Sequence, residues 1–271
     1  MVGVATFVEF SRTDYAEPSV FVPDGLLREA RRQRGLADGD VPAVCLLDPD
    51  GDLVRHLRRQ GRARRSDVWA CYHTELWVAD LAGEPVGVVG CAVGAPFAVL
   101  VAEQLFASGC QLLVSMTSSG QIDPDLDLPA LILIDRAVRG EGTSLAYLPP
   151  EPAIEADPVL IATAAQGLAE ASIPARRGPV WTTDAPFRET ASFIATARAA
   201  GTLAVEMEAA ALYAFAAARG QPVVCFALVT NQMAQTDGDF EKGPADGAEQ
   251  ALAVVDAVGR AWRAAHEETG A

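Results

Sequence analysis

The sequence predicts an α/β domain with a largely parallel or mixed sheet and helices on both faces, and three observations predict it. An apolar run, Val86-Gly87-Val88-Val89-Gly90-Cys91, leads through a glycine turn at Gly94 into a helical stretch from Pro96 to Phe106, then into Leu112-Leu113-Val114-Ser115-Met116. Strand, glycine turn, helix, strand is the pattern of a βαβ unit. The pattern returns with Leu131-Ile132-Leu133-Ile134, a helix over Pro158 to Ala171, and Val180-Trp181-Thr182-Thr183. Finally, Val223 to Val229 is apolar throughout, as a strand buried on both faces must be, and a helix over Gly247 to Ala265 follows it.

In chain order, Pro18 to Asp40 is punctuated by proline and glycine around a basic helical stretch, Leu26 to Arg34, that Gly35 ends. Residues 1–40 read as an extension packed on the domain, which then occupies 41–271. Strand-like runs follow at Ala43 to Leu47 and at Glu75 to Leu81, the second joined to the Val86 run by Ala82-Gly83-Glu84-Pro85, a turn of hairpin length. Pro96 stands where a helix can begin and Gly109 where it stops. Helices over Glu189 to Ala200 and Met207 to Arg219 bracket a short stretch at Leu203 to Val205. No linker or internal repeat divides the chain, which predicts one domain.

Half of the 271 residues are hydrophobic, enough for a large core, and the net charge of −15 repels phosphate backbones. DNA and RNA are therefore excluded as partners and a small molecule is favoured. The longest uncharged run, Pro85 to Ala102, reaches membrane-span length but is broken by Gly87, Gly90, Gly94 and Pro96, so no membrane partner is expected. Met1 to Phe7 lacks the features of a secretory signal, which predicts a cytoplasmic protein. Cys45, Cys71, Cys91, Cys110 and Cys225 are odd in number, widely spaced and mostly set among apolar neighbours, so they read as reduced core residues. Neither a metal nor an organic cofactor is expected.

Ligands of such sheets sit beyond the carboxyl ends of strands. That directs attention to Gly90 to Pro96, Ser115 to Gln121, Thr182 to Glu189 and Thr230 to Gln235. Ala204 to Leu212 places Glu206, Met207 and Glu208 at the entry to an alanine-rich helix. A carboxylate sinking toward a core needs a partner, which a sugar diol supplies with two hydroxyl donors. Alternatively, both glutamates stabilise the helix N-terminus through its dipole.

The segment Val205-Glu206-Met207-Glu208-Ala209-Ala210-Ala211-Leu212 resembles the ribose-binding signature of the nucleoside phosphorylase superfamily, which includes uridine phosphorylases, hexameric purine nucleoside phosphorylases and methylthioadenosine nucleosidases. Gly90 to Pro96, Ser118-Ser119-Gly120 after a buried strand, and Thr182 to Thr190 match in the same order, and Val138 to Ser144 is similar to the segment beside the base pocket. The resemblance covers Val41 to Ala265. It implies a single-domain three-layer αβα fold with a mixed, partly barrel-like central sheet. It also implies cleavage of a nucleoside N-glycosidic bond, nominally by phosphorolysis to ribose 1-phosphate and free base with inorganic phosphate as co-substrate. A homo-oligomer, dimer or hexamer, with sites completed across subunits, is implied as well.

By the same resemblance Glu208 holds the ribose 2′- and 3′-hydroxyls, Met207 packs beneath the sugar, and Glu206 is the second candidate for the diol. Thr183, Phe187, Arg188 and Gly120 line the base pocket. Gly94, Ser115 and Ser118, with Tyr72 and His73 of a neighbouring subunit, line the pocket for phosphate or water, and Asn231 and Ser118 are the catalytic candidates. Arg188 has an alternative as a surface ion pair with Glu189, and His73 as a structural histidine. The family's purine-cleaving members carry an aspartate where Asn231 stands. An amide cannot serve as a general acid, so a uridine-like or 6-oxopurine-like base is favoured over adenine.

The sequence departs from the family at the anion site. Leu47-Asp48-Pro49-Asp50-Gly51-Asp52-Leu53 brings carboxylates where relatives carry a glycine turn with an arginine, and Ser115 and Tyr72 stand for two more arginines. Only the Ser118 hydroxyl remains. Three aspartates repel a phosphate dianion. Two alternatives to phosphorolysis follow: a phosphate-independent nucleoside hydrolase, and a nucleoside-binding protein that kept the fold and lost the reaction. The basic block Arg55, Arg58, Arg59, Arg62, Arg64 and Arg65 is either a substitute phosphate cage or a solvated helix and loop.

Overall fold

Among the described residues ten strands form one mixed sheet. In a computed structural model describing residues 14–233, 239–240 and 242–269, the strands are β1 (Val44–Asp48), β2 (Ala63–Arg65), β3 (Leu76–Leu81), β4 (Glu84–Gly90), β5 (Leu112–Gln121), β6 (Ala130–Gly140), β7 (Ala153–Glu155), β8 (Arg176–Thr183), β9 (Ala204–Glu206) and β10 (Val223–Asn231). The Met1 to Phe7 reading, the first thirteen residues of the N-terminal extension and the far end of the Thr230 to Gln235 stretch lie outside the described residues.

The additional pairing of β10 with β5 closes β5, β9, β8, β6 and β10 into a ring, while β1, β4, β3 and β2 extend from β5 as an open wing. The sheet is thus mixed and partly barrel-like. Parallel β1 lies between β4 and β5, which is the expected βαβ unit with its crossover helix α3 (Ala95–Phe106). The hairpin between β3 and β4 turns on two residues of positive φ, Ala82 (52°) and Gly83 (91°), with Asp80 accepting the Gly83 N–H at 2.8 Å. Such turns match the twist of the flanking strands.

Helix α1 (Pro23–Arg34) buries Leu27 and Ala30 against Ala70, beside α3. α2 (Asp52–Arg59), α4 (Pro158–Glu170) and α7 (Ala248–Thr269) pack together, and α6 (Ala209–Arg219) packs on α3; α5 (Ala191–Ala199) precedes β9. β10 is buried along its whole length, as its apolar sequence requires. Buried Tyr213 of α6 donates its hydroxyl to the Ile134 carbonyl at 2.6 Å and accepts the Cys225 N–H at 3.0 Å, tying α6 to β6 and β10. Burial of each large apolar side chain in such a core contributes about 1.5–3 kcal/mol. Of the cysteines, Cys91 is exposed and the other four are buried, all as free thiols.

Two strands run further than their apolar stretches. β5 continues past Met116 through Thr117-Ser118-Ser119-Gly120-Gln121, so Ser118 to Gly120 lie within the strand rather than after it. β6 continues past Ile134 to Gly140. Both extensions are paired, β5 with β10 and β6 with β8, and the ladder compensates the polar backbone there. They bring polar side chains to the carboxyl ends of the strands, where β9 and α6 meet.

Candidate active site

Two acidic pairs shape this end of the molecule. At the entry to α6, Glu206 is buried and its Oε2 accepts the N–H groups of Glu208 and Ala209, each at 2.7 Å. Its Oε1 accepts the Thr182 hydroxyl, whose oxygen in turn accepts the Ala210 N–H at 2.9 Å. Glu206 therefore satisfies the open end of the helix, as the helix-stabilising alternative expects, and both its oxygens are engaged by the protein's own donors.

Glu208, the residue before α6, is 1% exposed. Its Oε1 accepts the Gly94 N–H at 2.7 Å, and its Oε2 has no partner among the described residues. Gly94 starts α3 with φ 91°, a conformation that favours glycine and aims its N–H at the carboxylate. Burial raises the Glu208 pKa to about 8, and the charge of Glu206 adds to it. Burial also raises Glu206, to about 7, although its three donors pull it back. Glu208 has the fewer donors, Gly94 N–H and the nearby Thr117 hydroxyl, and is raised further than Glu206. Met207 between them is half-buried.

At the entry to α2, Asp48 accepts the N–H groups of Gly51 at 3.2 Å and Val54 at 3.0 Å. Burial raises its pKa to about 6, with Asp50 and Asp52 contributing. Asp50 turns the other way: its Oδ2 accepts the Ser118 N–H at 2.8 Å and lies 3.6 Å from Lys242 Nζ. Asp52 pairs with Lys242 and Arg55. Asp50 is close enough to Glu208 for its charge to raise that pKa. Ser115 is buried deeper in β5, opposite Leu47, and Met116, Thr117 and Ser118 line the acidic cavity in its place. The basic block is mostly turned elsewhere: Arg58 lies over Trp77 at 4.4 Å, Arg65 pairs with Glu75 and Arg62 with Glu249, while Arg55 reaches Asp52 and Arg59 reaches Asp246 at 3.9 Å. Among the described residues no group of three or more metal-ligating side chains is arranged to hold an ion.

At the end of β10, Asn231 is buried with its amide committed: Nδ2 donates to the Ser119 carbonyl at 3.2 Å and Oδ1 accepts the Met233 N–H at 3.0 Å. Gly120 pairs with Val205 and Asn231, and a Cβ there would stand 2.9 Å from Met233, so the missing side chain lets Met233 lie on the strand. Thr183 accepts the Ala185 N–H at 3.1 Å and shapes the turn after β8. In the short helical turn Pro186–Arg188, Phe187 is 100% exposed. Arg188 is exposed as well and makes no side-chain bond among the described residues, so the ion pair with Glu189 is not formed. Phe187 and Met233 line a cleft of about 520 Å³ with Glu189, Ile194 and Arg198. Beside it Trp181 stacks on Phe193 at 4.2 Å.

Tyr72 and His73 lie outside this cluster. The Tyr72 hydroxyl donates to Gln33 of α1 at 2.8 Å, and the His73 ring meets Phe97 of α3 edge-on at 6.4 Å. Sequence reasoning missed Lys242, Met233 and Arg198. Lys242 and Met233 stand in polar, glycine-rich text with no periodicity, and Arg198 resembles any cation ending a helix.

A profile of the phosphorylase superfamily matches residues 43–260. The chain belongs to the phosphorylase superfamily. A guanosine phosphorylase of Halorubrum lacusprofundi is 24% identical over 250 residues, 88% of this chain and 96% of the relative. A DeoD-type purine nucleoside phosphorylase of Myxococcus xanthus is 26% identical over 186 residues, 68% of this chain and 78% of the relative. A uridine phosphorylase of Thermococcus kodakarensis is 29% identical over 117 residues, 41% of this chain and 39% of the relative. The fold is that of the uridine phosphorylase of Vibrio fischeri crystallised with 6-hydroxy-1-naphthoic acid, with a TM-score of 0.68 over 80% of this chain and 90% of that one at 20% identity. Among the described residues no helix is long and apolar enough to cross a membrane.

Proposed function

We propose that this phosphorylase-superfamily member cleaves the N-glycosidic bond of a nucleoside carrying an oxo base, with water as the nucleophile. The observation that carries the cleavage is Glu208, a buried carboxyl with one oxygen on Gly94, the Thr117 hydroxyl beside it, and no second backbone or ion-pair partner among the described residues. A ribose diol offers the two donors that such a group accepts once ionised, with Met207 beneath the sugar. Holding the sugar rigidly is what an oxocarbenium-like transition state requires. Asn231 has no acidic proton to transfer, which favours bases that leave as stable anions, uridine-like or 6-oxopurine-like, over adenine.

Phosphorolysis to ribose 1-phosphate, the activity in the relatives' names, is the second reading, and one observation speaks against it. The Ser118 N–H, an anion-binding donor, is taken by the Asp50 carboxylate, with Asp48 and Asp52 on the same turn. Among the described residues a phosphate dianion would meet four carboxylates, Asp48, Asp50, Asp52 and Asp246, and the cations there, Lys242, Arg55 and Arg59, are already paired with them. Water meets no such repulsion. In that reading Asp50 takes a proton from the water as its oxygen bonds to C1′, and the electron pair of the breaking C–N bond goes to the base.

The expected dimer or hexamer, and a contribution of Tyr72 and His73 across it, belong to the same proposal. The test is chromatographic: the purified protein is incubated with a panel of nucleosides and base release is followed. Release that Glu208→Ala abolishes supports the reading. No release from any nucleoside, alongside measurable nucleoside binding, makes the chain a binding protein instead.

A further inference from the structure

Resting on that reading, we infer that Lys242 walls off a pocket for a single nucleophilic water on the Asp50 turn, and so keeps larger acceptors, alcohols as well as anions, from the sugar. The cavity between that turn and the end of β5 has a volume of about 30 Å³, with Asp50, Met116, Thr117, Ser118 and Lys242 in its wall. That is room for about one water molecule, and a phosphate does not fit. Thr117 joins this cavity to the sugar carboxyl, because it is buried in the cavity wall with its hydroxyl beside Glu208. Asp50 Oδ2 is shared by the Ser118 N–H at 2.8 Å and Lys242 Nζ at 3.6 Å, while its Oδ1 makes no hydrogen bond among the described residues.

Lys242 is delivered to this place by its own turn. Ala245 and Asp246, which follow it, have φ of 54° and 55°, left-handed values that non-glycine residues keep only where their surroundings demand it. Asp246 lies 3.9 Å from Arg59 of α2, and the Lys242 ammonium reaches Asp52 at the start of the same helix. Burial pulls the ammonium toward its neutral form, but the hydrogen bond and charge of Asp52, with Asp50, outweigh this and hold its pKa above the ordinary lysine value. Among the described residues it is the one cation that reaches the Asp50 carboxylate. Its charge holds that carboxylate on Ser118 against the repulsion of Asp48 and Asp52, and its stem bounds the cavity. In the step itself the water oxygen bonds to C1′ as the C1′–N bond breaks. The electron pair of that bond goes to the base, and the water proton goes to Asp50 Oδ1.

The experiment follows base release and the sugar product of wild type, Lys242→Ala and Lys242→Met on the best nucleoside substrate, with and without methanol. Methanol is a neutral acceptor larger than water, and where it reaches C1′ it leaves methyl riboside instead of ribose. Wild type is expected to yield ribose alone. Lys242→Ala, with the stem gone, is expected to yield methyl riboside, its kcat lower by about 10-fold or more and its nucleoside KM within about threefold, as misplacing one reacting group does. Lys242→Met, which keeps the bulk without the charge, is expected to exclude methanol and still lose rate. Methyl riboside from wild type, or ribose alone from Lys242→Ala with kcat, KM and Tm all moved together, overturns the inference while the cleavage by water stands. Release that requires phosphate overturns the water reading and the inference with it. Calorimetry with propylammonium, the lysine side chain set free, needs no turnover. Saturable binding to Lys242→Ala and none to wild type supports the inference even if wild type cleaves nothing, and no binding to either overturns it.

Discussion

At the entry to α6, Glu206 satisfies the helix N–H groups and Glu208, two residues on, turns an oxygen into the site; at the entry to α2, Asp48 satisfies the helix and Asp50, two residues on, turns away. The two turns share this division of labour and differ in what the second carboxylate meets. Glu208 keeps a bare, buried oxygen, so it is open to donors brought by a ligand. Asp50 already has the Ser118 N–H and faces Lys242, so its turn is closed by an anion of the protein's own. One turn thus presents a buried carboxyl that a ligand's donors can meet, and in the other the carboxylate is already paired with the protein's own groups.

The largest effect expected from breaking this comparison is at Glu208. Loss of two hydrogen bonds to a charged group costs roughly 3–6 kcal/mol, so Glu208→Ala is expected to lower kcat/KM by about 10²- to 10⁴-fold in steady-state assays. Asp50→Ala comes next. If Asp50 is the base for water, phosphate-independent release falls by about 10²-fold. A rise in phosphate-dependent release on removing Asp50 would show that the same carboxylate closes the turn to phosphate. Glu206→Ala tests the capping role: three donors lose their acceptor, destabilising the fold by about 3 kcal/mol or more, read as a lower Tm. Glu206→Ala that keeps full stability would contradict that role.

The smallest effect expected is in pH. Glu208 has a folded pKa raised above its ordinary value, to about 8, so its contribution to stability is complete below about 4.5 and is lost as pH rises through about 8. Denaturant titrations between pH 5 and 8.5 should record falling stability from this group, absent in Glu208→Gln. Nucleoside binding runs the other way, because the diol donates to the ionised form. Affinity should rise toward pH 8 with proton release, visible by calorimetry in buffers of different ionisation enthalpy.

Much of this was legible in the sequence because burial and periodicity act locally. The apolar runs of β1, β4 and β10 and the turn before α3 announce themselves. β2 and β7 do not, being three-residue edge strands with exposed positions, and the far half of β5 is hidden because a strand lining a site carries serine and threonine. The site was legible as a set of segments, but the assignment within them was not. Glu206 and Glu208 are the same residue type two positions apart, and only the contacts with Thr182 and with Gly94, 114 residues away, separate the helix cap from the candidate ligand holder. Phe187 had the right chemistry for a base pocket, yet its turn leaves it fully exposed at the mouth of the cleft. Arg198 reaches the cleft through a tertiary contact that no local pattern encodes.

The most direct test of the closed anion site is base release from the best nucleoside substrate, measured with and without inorganic phosphate, with the sugar product identified. Equal rates and free ribose in both buffers are the predicted result. Release only with phosphate, yielding ribose 1-phosphate, would contradict it and show that the Asp50 turn opens to admit the anion.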